Sequence, residues 1–240
     1  MKQLLIALAL MSSGCHISVK NNDDIDGNGI LKKETRSISD FKGVDVEGPF
    51  NVVLVQGDTF IVEIETDENL LQYIDLKKDN GKIVISEKDG YELNSKKGII
   101  VRIQMPTVNQ VNVSGSGSVK SETILSNIDA MEINIGGSGN ITLELKSPKI
   151  DVGIGGSGKA TLSGTTRNLD ISIGGSGDCL AEELLSEECV VTIGGSGTAR
   201  VYASTSLKGT IGGSGDIFYR GEPKDVQKSI SGSGSIDPIK

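Results

Sequence analysis

Ile135-Gly136-Gly137-Ser138-Gly139-Asn140-Ile141 is the stretch on which the fold turns, because the chain keeps returning to it. Its inner phrase GGSG recurs from Gly155, Gly174, Gly194 and Gly212, with SGSG variants from Ser114 and Ser231. The seven copies start 22, 19, 19, 20, 18 and 19 residues apart. Self-similarity at about 20 residues marks a solenoid, in which each repeat is one coil that buries its apolar face against its neighbours.

Aligning the copies turns the sequence into columns. Directly before each corner stand Val113, Ile135, Ile154, Ile173, Ile193, Ile211 and Ile230. One step earlier every residue is polar or small, from Asn112 to Ser229. Two steps earlier stand Val111, Ile133, Val152, Ile171 and Val191, with Gly209 and Lys228 breaking the pattern late. After the corner a polar residue precedes the column Val119, Ile141, Ala160, Cys179, Ala199, Ile217 and Ile236. This period-two alternation predicts parallel strands on both sides of each corner, with inward residues stacked on their equals one coil away. The expected fold is therefore all-β: a right-handed parallel β-helix of short coils over residues 108–240.

Glycine suits a corner where the backbone takes a positive φ or approaches a neighbour closely. The middle serines, from Ser116 to Ser233, are expected to stack at about 4.8 Å and to bridge coils through their hydroxyls. They are not read as nucleophiles, since the sole histidine is His16, far from any corner in sequence.

Residues 29–107 are strand-rich and less regular. Phe60, Val62 and Ile64 alternate with Ile61, Glu63 and Glu65, as on a strand with one buried face. Asp79-Asn80-Gly81 is a hairpin signal, and Gln56-Gly57-Asp58 separates two strands in a similar way. Residues 99–105 form a last strand, stopped by Pro106. This part is expected to cover the open end of the solenoid, as irregular first coils or a hairpin-built cap on a continuous core.

Composition agrees with a thin solenoid: 32 glycines, no tryptophan and 3% aromatics leave aliphatic side chains to fill a narrow core. The net charge of −8 offers no electrostatic footprint for nucleic acid. At the start, MKQLLIALALMSSGC has one lysine, a short apolar run and small residues before Cys15. It is too short to span a bilayer and reads as a signal peptide over residues 1–14. Ser12-Ser13-Gly14-Cys15 resembles a bacterial lipobox, with Ser12 where leucine is most usual. Lipidation of Cys15 is thus expected, with residues 15–28 as a polar tether to the membrane.

Two calcium motifs fail on chemistry. Asp24, Asp26, Asn28 and Gly29 begin like an EF-hand loop, but Thr35 stands where the bidentate carboxylate belongs. GGSG resembles the calcium nonapeptide of toxin repeats, yet an apolar column fills its aspartate position. No metal or cofactor is therefore expected. Cys179 and Cys189 both fall in inward columns, either as buried thiols or as a disulfide across one coil.

Gly27-Asn28-Gly29, Glu34-Thr35-Arg36, Phe41, residues 52–62 with Gln56-Gly57-Asp58, and Met105-Pro106 followed by SGSG resemble the head GIN domain family. Its members are bacterial, often lipoproteins of Bacteroidetes, and are called auto-transporter adhesins. The resemblance covers roughly residues 27–236. It implies a β-helical fold and a cell-envelope location, and it favours a structural turn over calcium at Gly27–Gly29.

Three functions compete. A surface interaction or adhesion module is suggested by an outward patch in which Arg200 and Tyr202 lie beside Phe218 and Arg220, with Leu180 one coil earlier; its partner would be a protein or glycan at the cell surface. A carbohydrate-active enzyme would need clustered acids. Glu122, Glu144 and Glu182 share an expected outward column, but Ser163 interrupts it, and no catalytic residue is assigned. A passive envelope component could stack through the C-terminal coil. The first is the reading adopted, in a protein lipid-anchored in the envelope, at the outer membrane.

Overall fold

The computed structural model describes residues 22–239 except Asn127, so Cys15, the leader and the start of the tether lie outside the described residues. The chain is almost entirely β, a solenoid of about six turns with a less regular N-terminal part. That part comprises β1 (Asp23–Asp26), β2 (Leu31–Arg36), β3 (Gly43–Glu47), β4 (Phe50–Gln56), β5 (Ile61–Asp67), a 3-10 helix (Glu68–Tyr73), β6 (Ile74–Asp79), β7 (Lys82–Glu87), β8 (Tyr91–Asn94) and β9 (Ile99–Met105). The coils follow as β10 (Gln110–Val113), β11 (Ser118–Ser121), β12 (Met131–Ile135), β13 (Asn140–Lys146), β14 (Lys149–Ile154), β15 (Lys159–Ile173) and β16 (Asp178–Ile193). The last turns are β17 (Thr198–Tyr202), β18 (Ser206–Ile211), β19 (Asp216–Arg220), β20 (Asp225–Ile230) and β21 (Ile236–Pro238).

The expected columns are the observed register. Ile135 pairs with Ile154, Ile154 with Ile173, Ile173 with Ile193 and Ile193 with Ile211, all in parallel strands. Beyond the corner, Val119 pairs with Ile141, Ile141 with Ala160, Ala160 with Cys179 and Cys179 with Ala199. These side chains are buried, so a one-residue slip would expose every one of them.

The corners work through close approach. Among the described residues none of the GGSG glycines has a positive φ. A Cβ on Gly156 would stand 2.1 Å from the Gly137 carbonyl oxygen, and one on Gly175 would stand 2.2 Å from that of Gly156. At the first position of the phrase the space is open: a Cβ on Gly136 or Gly174 meets nothing within 4 Å. This explains why Ser114 and Ser231 can occupy that position. The middle serines do not bridge through hydroxyls as expected. Their side chains are exposed, and backbone groups cross the corner instead: the Ser157 N–H donates to Gly137 O at 3.0 Å and the Ser176 N–H to Gly156 O at 3.0 Å. The tight stacking brings backbone to backbone and turns the hydroxyls outward.

Three coils carry a buried hydroxyl eight residues ahead of the glycine phrase, at Ser147, Thr166 and Ser186. Their hydroxyls donate to backbone carbonyls, Ser147 Oγ to Lys149 O at 2.9 Å and Thr166 Oγ1 to Asn168 O at 3.1 Å. Ser186 Oγ bonds to Tyr202 O in the same way. A buried hydroxyl needs an acceptor, and each of these finds a backbone carbonyl, two residues on for Ser147 and Thr166 and 16 residues on for Ser186.

The solenoid core continues into the N-terminal part, but out of chain order. β3 pairs in parallel with β10 and, on its other side, with β7; β4 likewise lies between β11 and β9. Gly48, with φ of 121°, makes the corner between β3 and β4, and its carbonyl accepts the Gly117 N–H at 2.9 Å. Asn80 and Gly81 take positive φ and close an antiparallel β6–β7 hairpin, as their sequence predicts. Gln56-Gly57-Asp58 does not close a hairpin: β9 lies between β4 and β5, pairing parallel to one and antiparallel to the other. β2 then adds antiparallel to β5. Both outermost strands, β2 and β6, carry several charges, which blunts this end against further pairing. Arg36 closes it, donating to Leu71 O at 2.6 Å and Ile74 O at 2.7 Å.

Part of the polar run expected to act as tether is ordered: β1 pairs in parallel with β8. The Gly27–Gly29 turn wraps Asp67, which is fully buried. Asp67 accepts from the Gly29 N–H at 2.5 Å, Ser95 Oγ at 2.6 Å and the Lys96 N–H at 3.1 Å. The Ser95 hydroxyl, with these backbone N–H groups, holds the Asp67 carboxyl below its ordinary pKa.

Candidate functional site

The outward patch is assembled by register. Leu180, Arg200, Phe218 and Asp237 are successive partners on β16, β17, β19 and β21, and Tyr202 pairs with Arg220. The Arg200 guanidinium lies 5.8 Å from the Phe218 ring centroid. Leu180, Arg200, Tyr202 and Phe218 are half-buried and Arg220 is exposed. Gly221, at φ of 90°, lets the chain turn directly after Arg220, where a Cβ would meet Ala203 O at 2.1 Å.

Two acids complete the patch, and the expected acidic column fails because of them. The ladder between β15 and β16 shifts register between Thr161 and Ser163, so Ser163 faces Glu183 rather than Glu182. The extra residue of this β-bulge is the reason the corner interval here is 20 rather than 19. Glu182 bonds Arg200 Nε at 2.5 Å, and Glu183 reaches Arg220 Nη1 at 2.9 Å. Glu122 is engaged elsewhere, with Arg102 at 2.6 Å. The irregular interval was a sequence signal for Glu182 and Glu183. What they pair with depends on stacking that spacing alone does not show.

A second feature lies at the other end. A cleft of about 620 Å³ opens where the segment before β3, the β6–β7 turn and the crossover from β9 to β10 converge. Lys42 N–H donates to Gly81 O at 2.8 Å, and Asn109 N–H donates to Lys42 O at 2.8 Å, so its three walls are tied together. Phe60 faces the cleft, its ring centroid 5.0 Å from that of buried Phe41. No motif announced this cleft, because its segments are far apart in sequence.

Cys179 and Cys189 are buried free thiols rather than a disulfide. Burial pushes the Cys179 thiol up to about 12 and raises Cys189 as well. Among the described residues no group of three or more acidic, histidine or cysteine side chains could hold a metal, and no helix is long and apolar enough to cross a membrane.

A thin stacked core whose side chains all point inward, with long outer faces of fixed register, defines a β-solenoid that displays residues. Residues 40–223 match the family described as "Putative auto-transporter adhesin, head GIN domain", and the chain belongs to that family. The structure is similar to that of a putative adhesin from Bacteroides fragilis, with a TM-score of 0.83 at 23% identity, over 90% of this chain and 100% of that one. It is also similar to a putative lipid binding protein from Parabacteroides distasonis, with a TM-score of 0.75 at 27% identity, over 91% and 100% of the two chains. A putative adhesin from Parabacteroides merdae gives 0.71 at 27% identity, with the same coverage. No curated protein matches the sequence.

Proposed function

We propose that this protein is a non-catalytic adhesion module of the cell envelope, held to the outer membrane by lipid on Cys15, that binds a surface protein through the Leu180–Arg200–Phe218 ladder and its Tyr202–Arg220 neighbours. Membership of a family named for adhesion supports the general role. The observation that carries the site is Arg200 lying over Phe218 on adjacent coils, ringed by Glu182 and Glu183. Arginine and aromatic side chains held in place before binding are the usual centres of protein interfaces. A protein partner fits better than a glycan here, because the guanidinium already covers the ring face that a sugar would stack on.

The test is a pull-down from envelope extract with the wild-type protein and with a variant carrying alanine at Arg200, Tyr202, Phe218 and Arg220. A partner retained by the wild type and lost by the variant, at equal thermal stability, supports the site. Equal retention by both removes it. Globomycin treatment, which blocks lipoprotein signal cleavage, should leave the leader attached if Cys15 is lipidated.

A further inference from the structure

We infer that the cleft between β3, β7 and the β9–β10 crossover is a saccharide-binding site, independent of the ladder at the other end. Its chemistry points to a sugar. A sugar ring offers an apolar C–H face bordered by hydroxyls, and needs one aromatic platform flanked by neutral donors and acceptors. Phe60 is half-buried and backed by Phe41, which fixes its ring while leaving it open to the cleft. Around it stand Thr107, Asn109 and Gln110, whose side chains have no hydrogen-bond partner among the described residues. The walls are pre-formed by the Lys42–Gly81 and Lys42–Asn109 backbone bonds, so little ordering is required on binding.

Charge narrows the class. Lys82 is already paired with Asp45 at 3.0 Å, and Asp40, the one carboxylate among the lining residues, lies 3.9 Å from Lys78, whereas the Lys42 ammonium has no ion-pair partner among the described residues. One free cation beside an aromatic platform and several amides suits a sugar bearing a single carboxylate, such as a uronic or sialic acid terminus. A nucleotide, with two or more phosphate charges, would need more cations than the cleft provides. Gly43 lets the Lys82 and Gln110 side chains pack across it, since a Cβ there would meet Lys82 Cγ at 2.7 Å and Gln110 Cβ at 3.3 Å.

The full protein should be applied to a glycan array that includes neutral, uronic-acid and sialic-acid termini, followed by titration of the best binder. Binding with a preference for acidic termini is expected. Phe60→Ala and, separately, the exposed Asn109→Ala should each weaken it roughly tenfold, the loss of about one good contact. Lys42→Ala should reduce the preference for acidic over neutral termini without abolishing binding. Absence of binding to every glycan would overturn the proposal, as would binding that Asn109→Ala and Phe60→Ala leave unchanged. Glycan binding lost only on substitution of Arg200 and Phe218 would move the sugar to the ladder and overturn it equally.

Discussion

Arg200 and Phe218 stand on neighbouring coils with the guanidinium 5.8 Å from the ring centroid, and Glu182 bonds the same arginine at 2.5 Å. Both groups are partly solvated, so their contribution to folding is small even though their geometry is fixed. Arg200→Ala should change stability by less than about 1 kcal/mol, the range for a solvated cation–π contact and surface ion pair. Chemical denaturation measures this. A loss of several kcal/mol would mean that the ladder is a structural element rather than a display.

The corner glycines should divide sharply by position. Gly175→Ala forces a Cβ to within 2.2 Å of the Gly156 carbonyl oxygen, which only a backbone shift through the stack can relieve. Such overpacking should destabilise by about 3 kcal/mol or fail to yield folded protein. Gly174→Ser, its immediate neighbour, meets nothing and should stay within about 0.5 kcal/mol of wild type. Parallel melting curves of the two variants check the contrast. Equal effects would refute the close-approach account of the corner.

Asp67 sets an acid limit on the N-terminal cap. Its folded pKa is depressed, first by the Ser95 hydroxyl, so its stabilisation is fully present above the unfolded value near pH 4 and is lost as pH falls through the lower folded value. Asp67→Asn should cost about 2 kcal/mol at pH 7, because the Gly29 and Lys96 N–H groups lose a charged acceptor. The variant should also show a shallower loss of stability on acidification. Urea midpoints at pH 7 and pH 3 test both points, and identical acid profiles would exclude Asp67 as a contributor.

Lys228 guards the last turn. It occupies the inward column after Gly209, yet its ammonium bonds Ile236 O and lies 5.6 Å from the Tyr219 ring, folding over the end of the core. An inward charge on an edge strand opposes stacking by another sheet. Lys228→Val would continue the apolar column and leave it uncovered beside Ile230, which is 44% exposed. This variant should self-associate on light scattering at concentrations where the wild type does not. Unchanged mass would show that Lys228 is not the barrier.

The two inner cysteines should be silent. With Cys179 raised to about 12 and both thiols buried, the native protein should leave Cys179 and Cys189 unlabelled by a maleimide at pH 8, while urea exposes both. Mass spectrometry of the two peptides distinguishes the states. Native labelling of either would mean that the core opens.

The corner phrase and the isoleucine columns by themselves determined the solenoid. A parallel ladder repeats one local pattern, so the neighbours of Ile173 are legible from spacing alone. The Leu180–Arg200–Phe218 rung was legible for the same reason. Reading failed where contacts leave that order. The bulge that brings Glu182 and Glu183 to two arginines, the placing of β9 between β4 and β5, the turn wrapped around Asp67 and the cleft beside Phe60 all join segments whose separation follows no period. Which backbone atom lies near a corner glycine was likewise a matter of packing: the phrase shows that glycine is needed, and only the stacked carbonyl of the coil below shows that the reason is distance rather than φ.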